Sequence, residues 1–173
     1  VARGGTYMLN IGPRGDGSVS TRCAAALRSA GKWISQHPQV IYDVQGSPWK
    51  HSMPWGDVTQ KDNSLFLTVF EWPVSGELHL PNIEQDVQDA RLLRGSDSTE
   101  LLCHRRGKHV VVQVPEKAPE SLASVIKLTF SENPVVDPVL TLDPEVMTEL
   151  AVEFADSNGV KKSEKRWMEK FGE

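Results

Sequence analysis

Hydrophobic and polar residues alternate along the middle of the chain. From about residue 55 the apolar positions recur with a period of two, the spacing of a strand with one buried face. The apolar positions that define the predicted strands are Leu65, Leu67 and Val69; Leu78 and Leu80; Ala90, Leu92 and Leu93; Leu101 and Cys103; Val110, Val112 and Val114; Ile126, Leu128 and Phe130. Turns rich in glycine and proline separate them. The pattern predicts an antiparallel β-sandwich.

The first 45 residues follow a different pattern. Residues 6–11 form an apolar run of strand length, and the turn-forming segment 12–17 follows it. Ser20 or Thr21 then caps a predicted helix that ends at Pro38. Its apolar stripe consists of Ala24, Leu27, Ala30 and Ile34, with Trp33 beside them. A strand apolar on both faces is typical of a parallel sheet or barrel, so we expect this strand to need partners outside the segment.

The last segment of the chain allows two interpretations. Residues 139–142 are predicted as a strand, whereas residues 143–154 fit either a helix or another strand. Residues 161–173 carry mixed charge. The sequence leaves this segment unplaced.

Composition narrows the possible partners. The chain has 173 residues, 39% of them hydrophobic and 24% charged, so it can bury a core. Its net charge of -4 argues against a nucleic acid or an anionic membrane as the main partner. The apolar runs are also far shorter than the roughly 20 residues that cross a bilayer. We therefore predict neither a nucleic-acid nor a membrane partner.

The cysteines and histidines do not indicate a metal site. Cys23 and Cys103 lack the spacing of a disulfide framework or a metal motif, and both are predicted to be buried small hydrophobes. His104 and His109 flank a turn with Cys103 alongside, but no fourth ligand follows at a fitting distance, so we favour hairpin surface residues over a metal site. We predict no metal and no cofactor.

The N-terminal segment resembles a known family. Its motif runs Gly4-Gly5-Thr6-Tyr7-Met8-Leu9-Asn10-Ile11-Gly12-Pro13, then Asp16-Gly17, Gly31-Lys32-Trp33 and Ile41-Tyr42. It resembles the last strand, loop and helix of the catalytic barrel of α-L-fucosidases of glycoside hydrolase family 29, with a mild departure at Met8. The middle of the chain is similar to that family's C-terminal β-sandwich at Phe70, Trp72-Pro73, Gly76, Leu78 and Leu80. The resemblance covers about residues 1 to 130.

The resemblance implies a mainly β fold, in which an antiparallel β-sandwich follows one strand-loop-helix unit from the end of a (β/α)8-type barrel. Residues 1–45 would be the partial last β/α unit and 46–56 a linker. Residues 57–131 would be the C-terminal sandwich, and 132–173 further strands or the start of another module. The missing N-terminal barrel is the expected packing partner. Since the chain starts at Val1 without a methionine, we expect that it does not begin where its gene begins.

No catalytic residue is predicted within this chain. Retaining glycosidases use two carboxyl groups about 5 to 5.5 Å apart. In the first segment only Asp16 and Asp43 are available, and a helix of about 16 residues, roughly 24 Å long, separates them. The resemblance implies that the nucleophile and the acid/base lie upstream of Val1.

Binding residues are predicted in two places. If the resemblance holds, Asn10, Gly12, Pro13 and Asp16 lie beside the substrate mouth, because barrels place active sites at the C-terminal ends of strands. An aspartate before a glycine in a tight loop usually bonds nearby backbone amides, which is the role we favour for Asp16.

Trp49 and Trp55 offer a second candidate site. They lie in the proline-rich segment 46–56 and either stack on a sugar or seal a joint between barrel and sandwich. We favour the joint.

The function expected from the resemblance is that of an exo-acting, retaining α-L-fucosidase. Such an enzyme removes terminal α-L-fucose from fucosylated glycans and needs no cofactor. The 173 residues alone are expected to be inactive. The resemblance also implies a periplasmic, secreted or lysosomal location. The alternative is a carbohydrate-binding or purely structural β-sandwich accessory domain.

Overall fold

The structure is a computed structural model and describes residues 1–136 of the chain. The elements in chain order are α1 (Thr21–Gln36), a 3₁₀ helix (Pro38–Val40), β1 (Gly56–Lys61), β2 (Ser64–Val69), β3 (Glu77–Leu80), β4 (Val87–Arg94), β5 (Asp97–Glu100), β6 (Cys103–Arg106), β7 (His109–Gln113) and β8 (Ser124–Phe130). Across these residues, no helix combines the length and apolar character that a membrane crossing demands.

The strands form two antiparallel sheets, which confirms the predicted sandwich. The larger sheet has the order β1-β2-β8-β4-β5 and the smaller one the order β3-β7-β6. Leu67 of β2 pairs with Ile126 of β8, so strands far apart in sequence are neighbours at the centre of the larger sheet. The division into residues 1–45, 46–56 and 57–131 stays a prediction.

The core between the sheets contains the apolar side chains that the period-two pattern predicted to be buried. Leu65, Leu67 and Val69 of β2 meet Leu78 and Leu80 of β3 in one buried cluster. Burying an aliphatic side chain of this size contributes about 1.5–3 kcal/mol relative to leaving it exposed. The period of two therefore identified the inner face of this strand correctly.

The outer face of the larger sheet is also covered. Phe66 points away from the main core and packs with Val40 and Val125 in a second buried cluster. Trp33 of α1 packs against that cluster. Strand β2 is consequently buried on both faces, because the end of α1 and the 3₁₀ helix lie over it.

The sequence pattern missed β1 and β5. Strand β5 is entirely exposed and polar, and it forms because its backbone pairs with β4 in a tight hairpin. Strand β1 pairs with β2 from Gly56 onward. A Cβ atom at Gly56 would lie 2.0 Å from the carbonyl oxygen of Thr68, so only glycine permits this close approach.

The predicted helix is confirmed at both ends. The Ser20 hydroxyl accepts a hydrogen bond from the Cys23 backbone N at 3.2 Å, as an N-cap does. The helix ends at Gln36, before Pro38. Its stripe is only partly buried, with Ala30 exposed.

Residues 6–11, predicted as a strand with partners outside the segment, have no strand pairing within residues 1–136. Tyr7 and Met8 are 76% and 77% exposed, and Leu9 and Ile11 are exposed as well. A strand exists only when a neighbouring backbone accepts and donates its hydrogen bonds. The eight described strands pair among themselves and leave this segment without such a neighbour.

The prediction that both cysteines are buried is wrong for Cys23. This residue is exposed in the first turn of α1, because it lies off the apolar stripe that Ala24 and Leu27 define. Cys103 is partly buried at the margin of the main core. Residues 137–173, with the strand and helix alternatives proposed for them, lie outside the described residues.

Candidate functional site

Residues 14–18 form a tight turn before α1. The backbone N of Arg14 donates to Ser18 O at 2.8 Å, and that of Gly17 donates to Arg14 O at 2.9 Å. Gly17 has φ +79°, a conformation that glycine adopts without strain. The turn holds its shape through these backbone bonds.

Asp16 is anchored within this turn. Its Oδ1 accepts one hydrogen bond from the Ser18 hydroxyl at 2.7 Å and another from the Ser18 backbone N at 2.9 Å. Both bonds lower the pKa of the Asp16 carboxyl below its ordinary value, and the bond from the Ser18 hydroxyl has the larger effect. The backbone-bonding role predicted for Asp16 is confirmed.

The other predicted substrate-mouth residues are exposed. Asn10, Gly12 and Pro13 lie in the segment that precedes the turn. They share an exposed stretch of chain with Asp16. Their place beside a substrate remains a prediction.

The two aspartates of the first segment have different partners. Asp16 precedes α1 and bonds Ser18, whereas Asp43 follows the 3₁₀ helix and lies 3.8 Å from the Lys61 ammonium. The 16-residue helix between them is about 24 Å long. The two carboxylates therefore have separate surroundings, and that of Asp43 is 89% exposed.

Trp49 and Trp55 belong to the sandwich core. They are 5% and 3% exposed, and the Nε1 atom of Trp49 donates to the carbonyl oxygen of Pro81 at 2.8 Å. Both indoles pack in the cluster between the sheets. Because neither has an open face, the hypothesis that they stack on a sugar is wrong for this structure.

A polar contact that the sequence did not reveal joins α1 to the loop before β8. His37 is fully buried, and its Nε2 lies 2.9 and 3.0 Å from the carboxylate oxygens of Glu120. One turn earlier, Trp33 Nε1 donates to Ala123 O at 2.7 Å. No sequence signal pairs residues that are 83 positions apart, and His37 belongs to no cluster of histidines in the sequence.

The hairpin of β6 and β7 separates the two histidines considered as metal ligands. His104 pairs with Val111, whereas His109 pairs with Arg106, so the two do not stand opposite each other. Within residues 1–136, no group of three or more His, Cys, Asp or Glu side chains is arranged to hold a metal ion.

The thiol of Cys103 lies at the start of β6. Burial, with a smaller effect of the negative charge of Asp89, raises the pKa of Cys103 to about 11. The side chain therefore acts as a small hydrophobe at the core margin, as predicted for this residue.

Comparisons with known proteins identify the relatives of this chain. It is 29% identical over 136 residues to the tissue α-L-fucosidase of Bos taurus, a match covering 75% of this chain and 29% of that protein. An α-L-fucosidase of Branchiostoma floridae is 36% identical over 86 residues, covering 46% of this chain and 18% of that protein. The crystal structure of an α-L-fucosidase GH29 from Bacteroides thetaiotaomicron superimposes with a TM-score of 0.62 at 25% identity, covering 71% of this chain and 28% of that one. The predicted resemblance to the GH29 α-L-fucosidases is confirmed.

The similarity to the GH29 α-L-fucosidases covers only part of the length of those proteins. The chain spans about a fifth to a third of the length of these relatives. No family model matches the chain. The structural match covers 71% of the chain and agrees with the antiparallel sandwich described above.

Proposed function

We propose that this chain is the sandwich-bearing region of a retaining α-L-fucosidase that removes terminal α-L-fucose from glycans. The observation that carries the proposal is that a sequence match and a structural match to α-L-fucosidases each cover most of the chain. The match to the bovine enzyme covers 75% of the chain, and the GH29 structure covers 71% of it. Matches of this extent favour a common origin over a chance likeness in the short glycine-proline motif.

In the proposed reaction, one carboxylate attacks the anomeric carbon while a second carboxylic acid protonates the departing oxygen. Water then releases the sugar from the covalent intermediate, so the configuration is retained. Asp16 and Asp43 lie at opposite ends of α1 and do not form such a pair. We propose that the two catalytic groups come from residues outside this chain.

The proposed role of the described region is structural support of a barrel. The exposed apolar side chains of Tyr7, Met8, Leu9 and Ile11 favour this role, because such a run is expected to pack against a partner. We propose an N-terminal barrel as that partner and fucosylated glycans as the substrate of the whole enzyme. Asn10, Gly12, Pro13 and Asp16 would then lie near the rim of its site.

A hybrid enzyme tests the proposal. The matched 136-residue region of the bovine tissue enzyme is replaced by the corresponding segment of this chain, and release of nitrophenol from an aryl α-L-fucoside is measured. We expect the hybrid to release nitrophenol and the isolated 173-residue chain to release none. A control hybrid carrying Leu67→Asp should lose activity, because Leu67 is fully buried between the sheets.

Two results would count against the proposal. Release by the isolated chain would show that the catalytic groups lie within it. A hybrid that folds cooperatively but releases nothing would argue against the fucosidase assignment, since the bovine catalytic groups would still be present.

A further inference from the structure

A cleft lies between the second half of α1 and two loops at one end of the larger sheet. Its volume is about 450 Å³, and its lining includes Ser29, Lys32, Trp33, Arg94, Glu120 and Ser121. Small-molecule sites have volumes of about 300–1,000 Å³. The cleft is therefore large enough for a small ligand, and its lining is mostly polar.

The charges in the cleft favour an anion. Lys32 and Arg94 form no ion pair with any residue of the 1–136 range. The carboxylate of Glu120 already faces the His37 imidazole at 2.9 and 3.0 Å. Two cations without an ion-pair partner among the described residues thus line the same cleft as one carboxylate that has its own partner. A guanidinium and an ammonium group lining one cleft suit a ligand carboxylate.

Trp33 supplies a fixed apolar wall. Its ring is partly buried against the second core cluster, and its Nε1 donates to Ala123 O at 2.7 Å. An indole held in one orientation can pack on the C–H face of a sugar ring with little loss of side-chain entropy. The hydroxyls of Ser29 and Ser121 line the same cleft and offer hydrogen bonds to sugar hydroxyls.

We propose that this cleft binds an acidic sugar of the uronate type. The carboxylate lies against Arg94 and Lys32, and the ring packs on Trp33. Because the site is built from α1, the end of β4 and two sandwich loops, the proposal does not depend on the fucosidase assignment. It concerns a different ligand from the neutral fucose of the proposed reaction.

The test is a titration of the ¹⁵N-labelled 173-residue chain with glucuronate, followed by NMR. We expect saturable shifts at the Trp33 indole N–H and at the Gly95 and Ser121 amides, with glucose and acetate each binding at least tenfold more weakly. The Lys32→Ala/Arg94→Ala double variant should weaken glucuronate binding at least tenfold. A matched double variant at exposed sites outside the cleft, Arg22→Ala/Lys108→Ala, should bind like the unmodified chain.

Several results would overturn the proposal. Absence of saturable shifts at these three positions would exclude the site. Glucose binding as tightly as glucuronate would exclude the role of the cations, as would an unaffected Lys32→Ala/Arg94→Ala variant with an intact spectrum. Acetate binding as tightly as glucuronate would mean a simple anion site without sugar recognition.

Discussion

The Nε2 atom of His37 lies 2.9 and 3.0 Å from the two carboxylate oxygens of Glu120, 83 residues further along the chain. The imidazole is fully buried, and its ring packs 5.2 Å from that of Trp33. The contact ties the C-terminal end of α1 to the loop that precedes β8. The helix thereby stays against the sandwich although none of its residues is fully buried.

Replacing Glu120 with alanine should destabilise the fold. The buried His37 Nε2 would lose its partner, which costs about 1–3 kcal/mol in the free energy of unfolding. Glu120→Gln should cost less, because the amide can still hydrogen-bond. Urea unfolding followed by circular dichroism measures the difference, with exposed Glu116→Ala as the matched control. Equal unfolding midpoints for Glu120→Ala and Glu116→Ala would contradict the prediction.

Trp49→Phe should also lower the free energy of unfolding, by about 1–3 kcal/mol. The phenyl ring keeps most of the apolar contact but removes the Nε1–H that donates to the buried carbonyl of Pro81. Tyr42→Phe, at an exposed position, serves as the aromatic control and should unfold like the unmodified chain. A neutral result for Trp49→Phe would mean that the hydrogen bond contributes nothing to stability.

Neutral fucosylated oligosaccharides should leave the tryptophan fluorescence of the chain unchanged at millimolar concentration. Both Trp49 and Trp55 are covered within the sandwich core and have no face for a sugar. A saturable change in the emission that is lost in Trp49→Phe would restore the stacking hypothesis.

The carboxyl of Asp16 should titrate below its ordinary pKa. The Ser18 hydroxyl and backbone N stabilise the carboxylate in the folded turn, so their stabilising effect is present above the unfolded-state pKa. The effect is lost as the pH falls through the lowered folded-state pKa. An NMR pH titration should show the midpoint rising in Ser18→Ala, which removes the hydroxyl bond. Ser35→Ala, whose hydroxyl bonds Lys32 O instead, should leave the Asp16 midpoint in place.

The two thiols should differ in reactivity. Burial raises the pKa of Cys103 to about 11, so at pH 8 about one molecule in a thousand carries the thiolate there. Cys23 is exposed on α1. In the Cys23→Ser variant we expect slow reaction with a disulfide reagent at pH 8 and fast reaction once denaturant is added. Fast reaction of the folded variant would show that the Cys103 thiol is open to the reagent and that its pKa is not raised.

The sequence predicted strands where apolar alternation accompanies burial. Leu65 and Leu67 face the core as expected. Phe66 between them is also buried, because the 3₁₀ helix covers the opposite face of the sheet. Strand β5 was not predicted, because its four residues are exposed and show no apolar alternation. The strand forms through its backbone pairing with β4 alone. The apolar run at residues 6–11 has no strand pairing within residues 1–136, because an apolar pattern by itself supplies no hydrogen-bonding neighbour.

The sites were less predictable than the strands. The bond between Asp16 and Ser18 spans two residues, so local turn chemistry was enough to predict it. Trp49, by contrast, donates its indole N–H to the carbonyl oxygen of Pro81, 32 residues away, and no local pattern predicts that contact. The cleft beside Trp33 is formed by a helix and two loops that are distant in sequence. No short sequence motif predicts that these segments lie together.

The sequence by itself determined the helix from Thr21 to Gln36, the inward positions of most strands and the likeness to the GH29 α-L-fucosidases. These features depend on periodicity, caps and turn residues, which act over a few neighbouring positions. Only the tertiary structure decided that β8 lies between β2 and β4, that His37 meets Glu120, and that Trp49 and Trp55 are buried. These features depend on which distant surfaces pack together, and packing is a property of the whole assembled sandwich.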